Sequence, residues 1–236
     1  MDDLTNPAHD MIVAMTSSQV GKTECGLNWI GFTIDYDPVP MLYVVPNLDD
    51  ARSNSKNRLT PMLRDCPVLH NKVKDARGKK KGNEGSTSNE TTHKSFPGGH
   101  LTIVGSNSPS GLASKPIARA YVDELDRFEL SAGDEGDQIQ LIKRRTQNFW
   151  NRKIFITSTP GIKGISKIES YFTMSDQQRY HVPCPKCNTK QVLKFGNMKW
   201  DKDGSGTPLL KTVHFECVDE NCRHKIKDKD KAWMVD

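Results

Sequence analysis

The stretch Met11–Glu24, MIVAMTSSQVGKTE, restricts the fold more than any other part of this 236-residue chain. Five apolar residues, Met11 to Met15, suit a short buried strand. Thr16-Ser17-Ser18-Gln19-Val20 then turns into Gly21-Lys22-Thr23, at the head of a helical run Gly26-Leu27-Asn28-Trp29-Ile30-Gly31-Phe32 with apolar residues at helical spacing. A strand, a tight turn and a helix start in that order form a phosphate-binding (P-loop) arrangement. The N–H groups of the turn and the first free amides of the helix aim at one spot, at the positive end of the helix dipole. Lys22 adds a point charge at the β- and γ-phosphates of a nucleotide, and the Thr23 hydroxyl is a ligand for Mg²⁺. By average composition a Gly-Lys-Ser/Thr tripeptide arises by accident in about one chain of this length in eight. The flanking strand and helix therefore have to carry the reading against a surface turn of the same sequence. Thr16 stands where the usual first glycine of the pattern falls, which implies a loop whose entry residue keeps φ negative.

Four further apolar runs read as strands: Met41 to Val45, Leu101 to Val104, Ala120 to Val122 and Ile154 to Ile156. Helix-compatible sequence fills Leu48 to Leu63, with Pro61 marking a kink or boundary, and Gln138 to Phe149, whose outward face carries Lys143, Arg144 and Arg145. Strands alternating with helices or long crossovers predict an α/β fold with a mostly parallel sheet covered on both faces. From Arg77 to Gly99 the chain turns to Gly, Lys, Ser, Thr and Asn with almost nothing to bury, and poor order is expected there. Cys25 and Cys66, isolated in helical stretches, read as core residues.

The whole-chain balance excludes some classes. No apolar run is long enough to span a bilayer, and Asp2-Asp3 contradicts the basic start of a signal peptide, so a cytoplasmic chain with no membrane partner is expected. A net charge of +5 permits nucleic-acid contact without demonstrating it. The excess is local: Lys72, Lys74, Arg77, Lys79, Lys80 and Lys81 face only Asp75 between residues 70 and 82, either as a solvated loop or as a nucleic-acid contact.

In a parallel sheet, ligands sit at the carboxyl ends of the strands, where the phosphate loop, Asp123-Glu124 and Ser158-Thr159 are expected to converge. Asp123 closes an apolar strand and is read as holding Mg²⁺ through water, while Glu124 orients and deprotonates an attacking water. The bland alternative is a strand cap in a charged turn shared with Asp126 and Glu129. Ser158-Thr159 either senses the γ-phosphate or its water, or caps the turn before Pro160.

The tail carries two cysteine pairs, Cys184-Pro185-Lys186-Cys187 and Cys217-Val218-Asp219-Glu220-Asn221-Cys222, with strand-like pieces Gln191 to Phe195 and Thr212 to Phe215 between them. Two close pairs joined through a hairpin predict a tetrahedral four-thiolate site for a structural Zn²⁺. His181, His214 and His224 lie close enough in sequence to replace one thiolate. A segment this small and polar draws much of its folding energy from the metal. The predicted division is residues 1–175 as the nucleotide-binding domain and 176–236 as a zinc-ribbon-like segment.

In this order the pieces resemble the large subunit of the tailed-phage DNA-packaging terminase, in its lambda-like family. The runs that carry the resemblance are SSQVGKTE at 17–24, FPGGHLTIVGSNSPSGLASKPIARAYVDELDRF at 96–128, EGDQIQLIKRRT at 135–146, ITSTPGIKGISKIESYF at 156–172 and RYHVPCPKC at 179–187. The resemblance implies the additional-strand P-loop fold and an ATPase that pumps double-stranded DNA into an empty procapsid. Thr16 to Thr23 then correspond to the Walker A loop, Asp123 and Glu124 to the Walker B acids, and Ser158-Thr159-Pro160 to the motif that couples hydrolysis to movement. It also implies a small terminase subunit, a portal or procapsid and a homo-oligomeric ring as partners, in the cytoplasm of an infected bacterium. Family members carry a C-terminal metal-dependent nuclease; with no acidic cluster after the cysteine tail, a fragment without DNA cleavage is expected. Only ten residues precede the first strand, where relatives have a longer lead-in that helps hold adenine, so phosphate contacts are expected to dominate a weak nucleotide affinity. Arg127, Arg144, Arg145 and Arg152 are all available as the arginine that completes such a site. A helicase-like translocase, or a DNA- or partner-binding module with little turnover, stand as alternatives.

Overall fold

The computed structural model describes residues 2–73 and 91–235, and the chain divides into two compact units, Met1–Asp176 and Gln177–Asp236. In the first unit, six strands form one sheet: β1 (Met11–Met15), β2 (Met41–Val45), β3 (His93–Phe96), β4 (Gly99–Gly105), β5 (Arg119–Asp123) and β6 (Lys153–Ser158). Their spatial order is β1-β6-β5-β2-β4-β3, and every neighbouring pair is parallel except β3 with β4. The fold is thus mixed α/β on a mostly parallel sheet.

Central strands β2, β5 and β6 are buried along their whole length, as continuous apolar runs in a sheet covered on both faces require. Strand β1 departs from the expected burial. It is an edge strand, and all five of its residues are half-buried; Ile12 and Ala14 pack toward one core, and Met11, Val13 and Met15 toward the other. The first core lies under helix α1 (Lys22–Asp35) and the helical stretch after β2, and holds Trp29, Ile30, Tyr43, Leu59, Ile103, Tyr121 and Phe155. The second core, on the opposite face, gathers Leu42, Val44, Val122 and Ile156 with residues of α4 (Pro109–Ala113), α5 (Gln138–Thr146) and α6 (Lys167–Thr173).

Helix α1 lies close on the sheet because residue 26 is glycine. A Cβ there would stand 2.0 Å from the Tyr121 ring, so the helix accepts the weak propensity of glycine to seat itself on that ring. The stretch after β2 runs as α2 (Leu48–Asn54), a π turn (Ser55–Leu59) and α3 (Thr60–Asp65). Pro61 does not end it. The π turn immediately upstream absorbs the carbonyl that a proline in the first turn cannot bond, so the path continues as a shifted helix.

Several expected boundaries move. Helix α5 ends at Thr146, three residues short of Phe149, where the Thr146 hydroxyl turns back onto the Lys143 carbonyl at 3.0 Å. The expectation of poor order up to Gly99 fails for its last part, because His93–Phe96 pairs with β4 and buries Lys94 and Phe96 on alternate positions. Residues 77–90 of that stretch lie outside the described residues. So does the basic run from Lys74 to Lys81; Lys72 is described, and its ammonium pairs with Asp35 at 2.5 Å. Cys25 and Cys66 are half-buried against the first core. Among the described residues no helix is long and apolar enough to cross a membrane.

The second unit is built from small pieces: β7 (Val182–Pro183) pairs with β8 (Lys190–Gln191), and β9 (Met198–Lys199), β10 (His214–Glu216) and β11 (Lys225–Ile226) form a three-stranded sheet ordered β11-β10-β9. Strand pieces are shorter than expected at residues 191–195, where Phe195 instead opens a 3₁₀ turn to Asn197. A short helix, α7 (Lys231–Val235), follows. Its core is Val182, Cys184, Cys217, Ile226 and Met234, five residues of which two are cysteines.

Candidate nucleotide site and cysteine cluster

Parallel register sets the site. Met15 stands opposite Ser158 and Asp123 opposite Thr157, so the segments leaving β1, β5 and β6 start side by side. Thr16 continues the pairing by donating its N–H to the Ser158 carbonyl at 3.2 Å. From there Ser17, Ser18, Gln19 and Val20 are exposed, and Val20 is 56% exposed despite being apolar. Thr16 keeps a negative φ; left-handed backbone falls at Gln19 (φ 58°) and at Gly21 (φ 82°), the residue that starts α1. Only glycine takes that second turn without strain.

Four predicted side chains meet just past the loop. The Lys22 ammonium donates to the Thr159 hydroxyl at 3.0 Å, and the Thr23 hydroxyl donates to Asp123 Oδ2 at 2.8 Å. Asp123 is 4% exposed, and its other oxygen accepts from Thr157 Oγ1 at 2.7 Å. Beneath it Tyr43, Tyr121 and Phe155 stack in sequence, with ring centroids 4.9 and 5.4 Å apart. Burial, reinforced by the Asp123 charge, pushes both tyrosine hydroxyls well above their ordinary range, so they stay neutral. The Asp123 carboxylate therefore sits on an uncharged aromatic floor.

Glu124 is turned elsewhere. Its backbone is left-handed (φ 58°, ψ 48°), a conformation that costs a non-glycine residue on the order of 1–3 kcal/mol and concentrates at functional sites. Its carboxylate accepts from Arg127 Nη1 at 2.5 Å, and Arg127 also approaches Asp50 at 3.9 Å. Of the four arginines left open by the sequence, Arg127 is thus the one with a described contact to a site residue. Arg152 pairs with Asp10 ahead of β1, and the Arg145 carbonyl takes the Ile117 N–H ahead of β5, both toward the opposite ends of the strands.

Ser158 and Thr159 divide their work. Thr159 meets Lys22, whereas the Ser158 hydroxyl takes the Asp126 N–H at 3.1 Å and donates to the Thr159 carbonyl at 3.1 Å. Asp126 then accepts from Gly161 N–H and from Ile168 N–H, each at 2.7 Å, tying the turn after β5 to the segment after β6 and to the first turn of α6.

In the second unit, the sulfurs of Cys184, Cys187, Cys217 and Cys222 all lie within 4.8 Å of one another; Cys184–Cys222 is 4.0 Å and Cys187–Cys217 is 3.7 Å. Four thiolates at tetrahedral zinc distances stand about 3.8 Å apart, so the donor set fits that ion. None of the three histidines belongs to the cluster; the His181 and His214 rings bond the Arg179 and Thr212 carbonyls. Hydrogen bonding to Thr189 lowers the Cys187 thiol to about 6, and burial pushes Cys217 up to about 12.

The family model for phage terminase large subunit gpA, ATPase domain, matches residues 1–236. The chain belongs to this family. Within it, this terminase ATPase-domain chain is 28% identical over 210 residues to the terminase large subunits of Escherichia phage lambda and of Enterobacteria phage P21. Each alignment covers 86% of this chain and 32% of the relative, so the chain spans about a third of the length of the curated relatives it matches. The solved ATPase domain of the Thermus phage P74-26 large terminase shares the fold, with a TM-score of 0.51 at 15% identity over 78% of this chain and 72% of that one.

Three residues that contact these side chains carry no sequence signal as members of the cluster. Thr157 is hidden inside a strand and gives no signal beyond the Thr-Ser-Thr run. Asp126 looked like evidence for an ordinary charged turn, yet both its oxygens are committed to backbone N–H groups. Asp50 shows itself only through Arg127.

Proposed function

We propose that the first unit is the P-loop ATPase core of a packaging motor, hydrolysing ATP with Mg²⁺ to drive double-stranded DNA into a procapsid. The observation that carries this reading is the 2.8 Å contact between Thr23 and Asp123 beside the Lys22–Thr159 contact. A hydroxyl and a carboxylate form a pair of hard oxygen donors of the kind that suits Mg²⁺. Bound there, the ion neutralises charge building on the transferred phosphate. Thr16 to Thr23 act as the Walker A loop, wrapping the phosphates with backbone N–H groups, and Lys22 supplies the ammonium. Asp123 and Glu124 act as the Walker B pair: Asp123 positions the Thr23 side of the site, and Glu124 takes the proton of the attacking water once its carboxylate leaves Arg127.

Coupling runs through a shared ammonium. Lys22 has three N–H donors, so a γ-phosphate and the Thr159 hydroxyl can share it, and a shift of the ammonium toward the phosphate is passed to Thr159 and, through Ser158 and Asp126, to the first turn of α6. The cysteine cluster holds a structural Zn²⁺ in residues 176–236, which form a zinc-ribbon-like segment, and residues 1–175 form the ATPase domain. DNA contacts fall to the basic run 72–81 and to the zinc segment, with the small terminase subunit, a portal or procapsid and further copies in a ring as partners, in the cytoplasm of an infected bacterium.

ATP hydrolysis measured with and without duplex DNA, for the parent and for Lys22→Ala, tests this. Mg²⁺-dependent turnover that vanishes in Lys22→Ala, without unwinding of a forked duplex, is expected. DNA binding with no Lys22-dependent turnover would make the chain a binding module, and strand separation would make it a helicase.

A further inference from the structure

Tyr43 lies on the interior strand β2 with no solvent exposure, and its hydroxyl meets no hydrogen-bond partner among the described residues. A buried phenol in that condition costs folding free energy that phenylalanine, with the same ring and no polar atom, would not. The stack on Tyr121 needs only the ring. The hydroxyl is therefore surplus to packing, and its direction bears on what it serves.

Parallel register sets Tyr43 opposite Tyr121, and the two rings lie 4.9 Å apart at 14°. Tyr121 stands opposite Phe155, yet its hydroxyl contacts that of Thr157 at 3.4 Å, two residues farther along β6. That ring thus leans toward the carboxyl ends of the strands, where Thr157 holds Asp123. The charges that bear on the Tyr43 hydroxyl belong to the same end: Asp123 first, then Arg58, Glu124 and Asp50.

Three of these groups are carboxylates, and two are already served. Asp123 takes the Thr23 hydroxyl on one oxygen and the Thr157 hydroxyl on the other, and Asp50 takes the Asn47 side-chain amide at 2.8 Å. Glu124 has one described side-chain partner, Arg127, in a pair whose side chains are 38% and 61% exposed. Ion pairs so open to water hold their members weakly, so this carboxylate is the one free to change partners.

Given the ATPase reading of this site, we propose that Tyr43 is a positioning residue for Glu124: when the carboxylate leaves Arg127, the Tyr43 hydroxyl donates to one of its oxygens and leaves the other aimed at the attacking water. The Arg127 contact is then the resting arrangement and the phenol contact the working one. Burial and the Asp123 charge keep the phenol neutral, so it orients the base and retains its own proton while Glu124 takes that of the water.

Tyr43→Phe in the full chain tests this by three measurements. Thermal unfolding without nucleotide should give a midpoint equal to or above that of the parent, because an unpartnered group is removed. Equilibrium binding of ATP with Mg²⁺ should match the parent, while single-turnover hydrolysis slows by about 10- to 100-fold, the worth of one hydrogen bond to a carboxylate. In a Glu124→Gln background the same substitution should change the rate by less than about twofold, since the group it acts through has lost its function. Parent-like hydrolysis by Tyr43→Phe, beside Lys22-dependent hydrolysis by the parent, would overturn the role of Tyr43 and leave the ATPase reading standing. So would a lower melting midpoint, which would reveal a structural partner, or an equal slowing in the Glu124→Gln background. Parent hydrolysis that does not depend on Lys22 would remove both.

Discussion

Thr157→Val removes a single hydroxyl from a fully buried position and keeps nearly the same shape. In the folded chain that hydroxyl donates to the Asp123 carboxylate at 2.7 Å, opposite the Thr23 hydroxyl at 2.8 Å. A hydrogen bond to a charged group contributes about 1.5–3 kcal/mol. Burying a methyl in its place returns about 0.8 kcal/mol, so the net loss is on the order of 1–2 kcal/mol. For a unit of this size each kcal/mol moves the thermal midpoint by about 2–4 °C. The functional loss should be larger, because a partner that orients a metal-ligating carboxylate is typically worth about 10- to 100-fold in metal affinity or activity. Thermal unfolding followed by the fluorescence of buried Trp29, together with a Mg²⁺ titration of ATP turnover, measures both. Tyr121→Phe is the comparison: it removes a longer, 3.4 Å contact to the same hydroxyl and a phenol close to Asp123, and should cost less than Thr157→Val. If Thr157→Val melts with the parent and needs no more Mg²⁺, Asp123 is not held as described and the reasoning fails.

Other outcomes follow from the same structure. Gly26→Ala should lower the thermal midpoint, because a Cβ 2.0 Å from the Tyr121 ring costs about 1–3 kcal/mol against a helix-propensity gain of about 1 kcal/mol; Gly31→Ala, which meets a flexible Leu69 methyl at 3.3 Å, should not, and equal midpoints in the two variants would refute the packing argument. Chelation of bound metal should erase hydrogen-exchange protection at Val182 and Ile226 while leaving Tyr43 and Ile156 protected, and protection that survives in metal-free protein would remove the metal from folding of the second unit. His100 has its pKa lowered on folding, by burial and then by His93 and Lys115, so the unfolded chain binds its proton more readily below about 6.5. Stability should therefore fall as pH drops through that value, and the urea midpoint should fall less for His100→Gln than for the parent between pH 7.5 and 5.5; identical falls would contradict this.

The parts legible in the sequence were those set by burial and by local turn chemistry. Five apolar runs became five strands because a sheet covered on both faces leaves such runs no other place, and Gly21-Lys22-Thr23 began a helix because a left-handed step there needs glycine. Strand β3 escaped because His93-Lys94-Ser95-Phe96 is polar by composition; only its pairing with β4 buries Lys94 and Phe96. The edge position of β1 was equally hidden, since strand order is a property of long-range pairing that no local pattern encodes. At the site, types and spacing pointed to Lys22, Thr23, Asp123 and Thr159, which the fold brings together. Asp126 and Thr157 could not be found that way, because their importance lies in which backbone and carboxylate atoms they reach across more than thirty residues of chain.

The central claim is that the strand ends carrying Lys22, Thr23 and Asp123 bind Mg·ATP and that Glu124 activates the water that attacks it. Single-turnover hydrolysis by Glu124→Gln, measured beside equilibrium binding of the same nucleotide, tests it most directly. The account predicts binding equal to the parent and a hydrolysis rate lower by ~10²–10⁴. Hydrolysis at the parent rate, or binding and hydrolysis lost together, would contradict it.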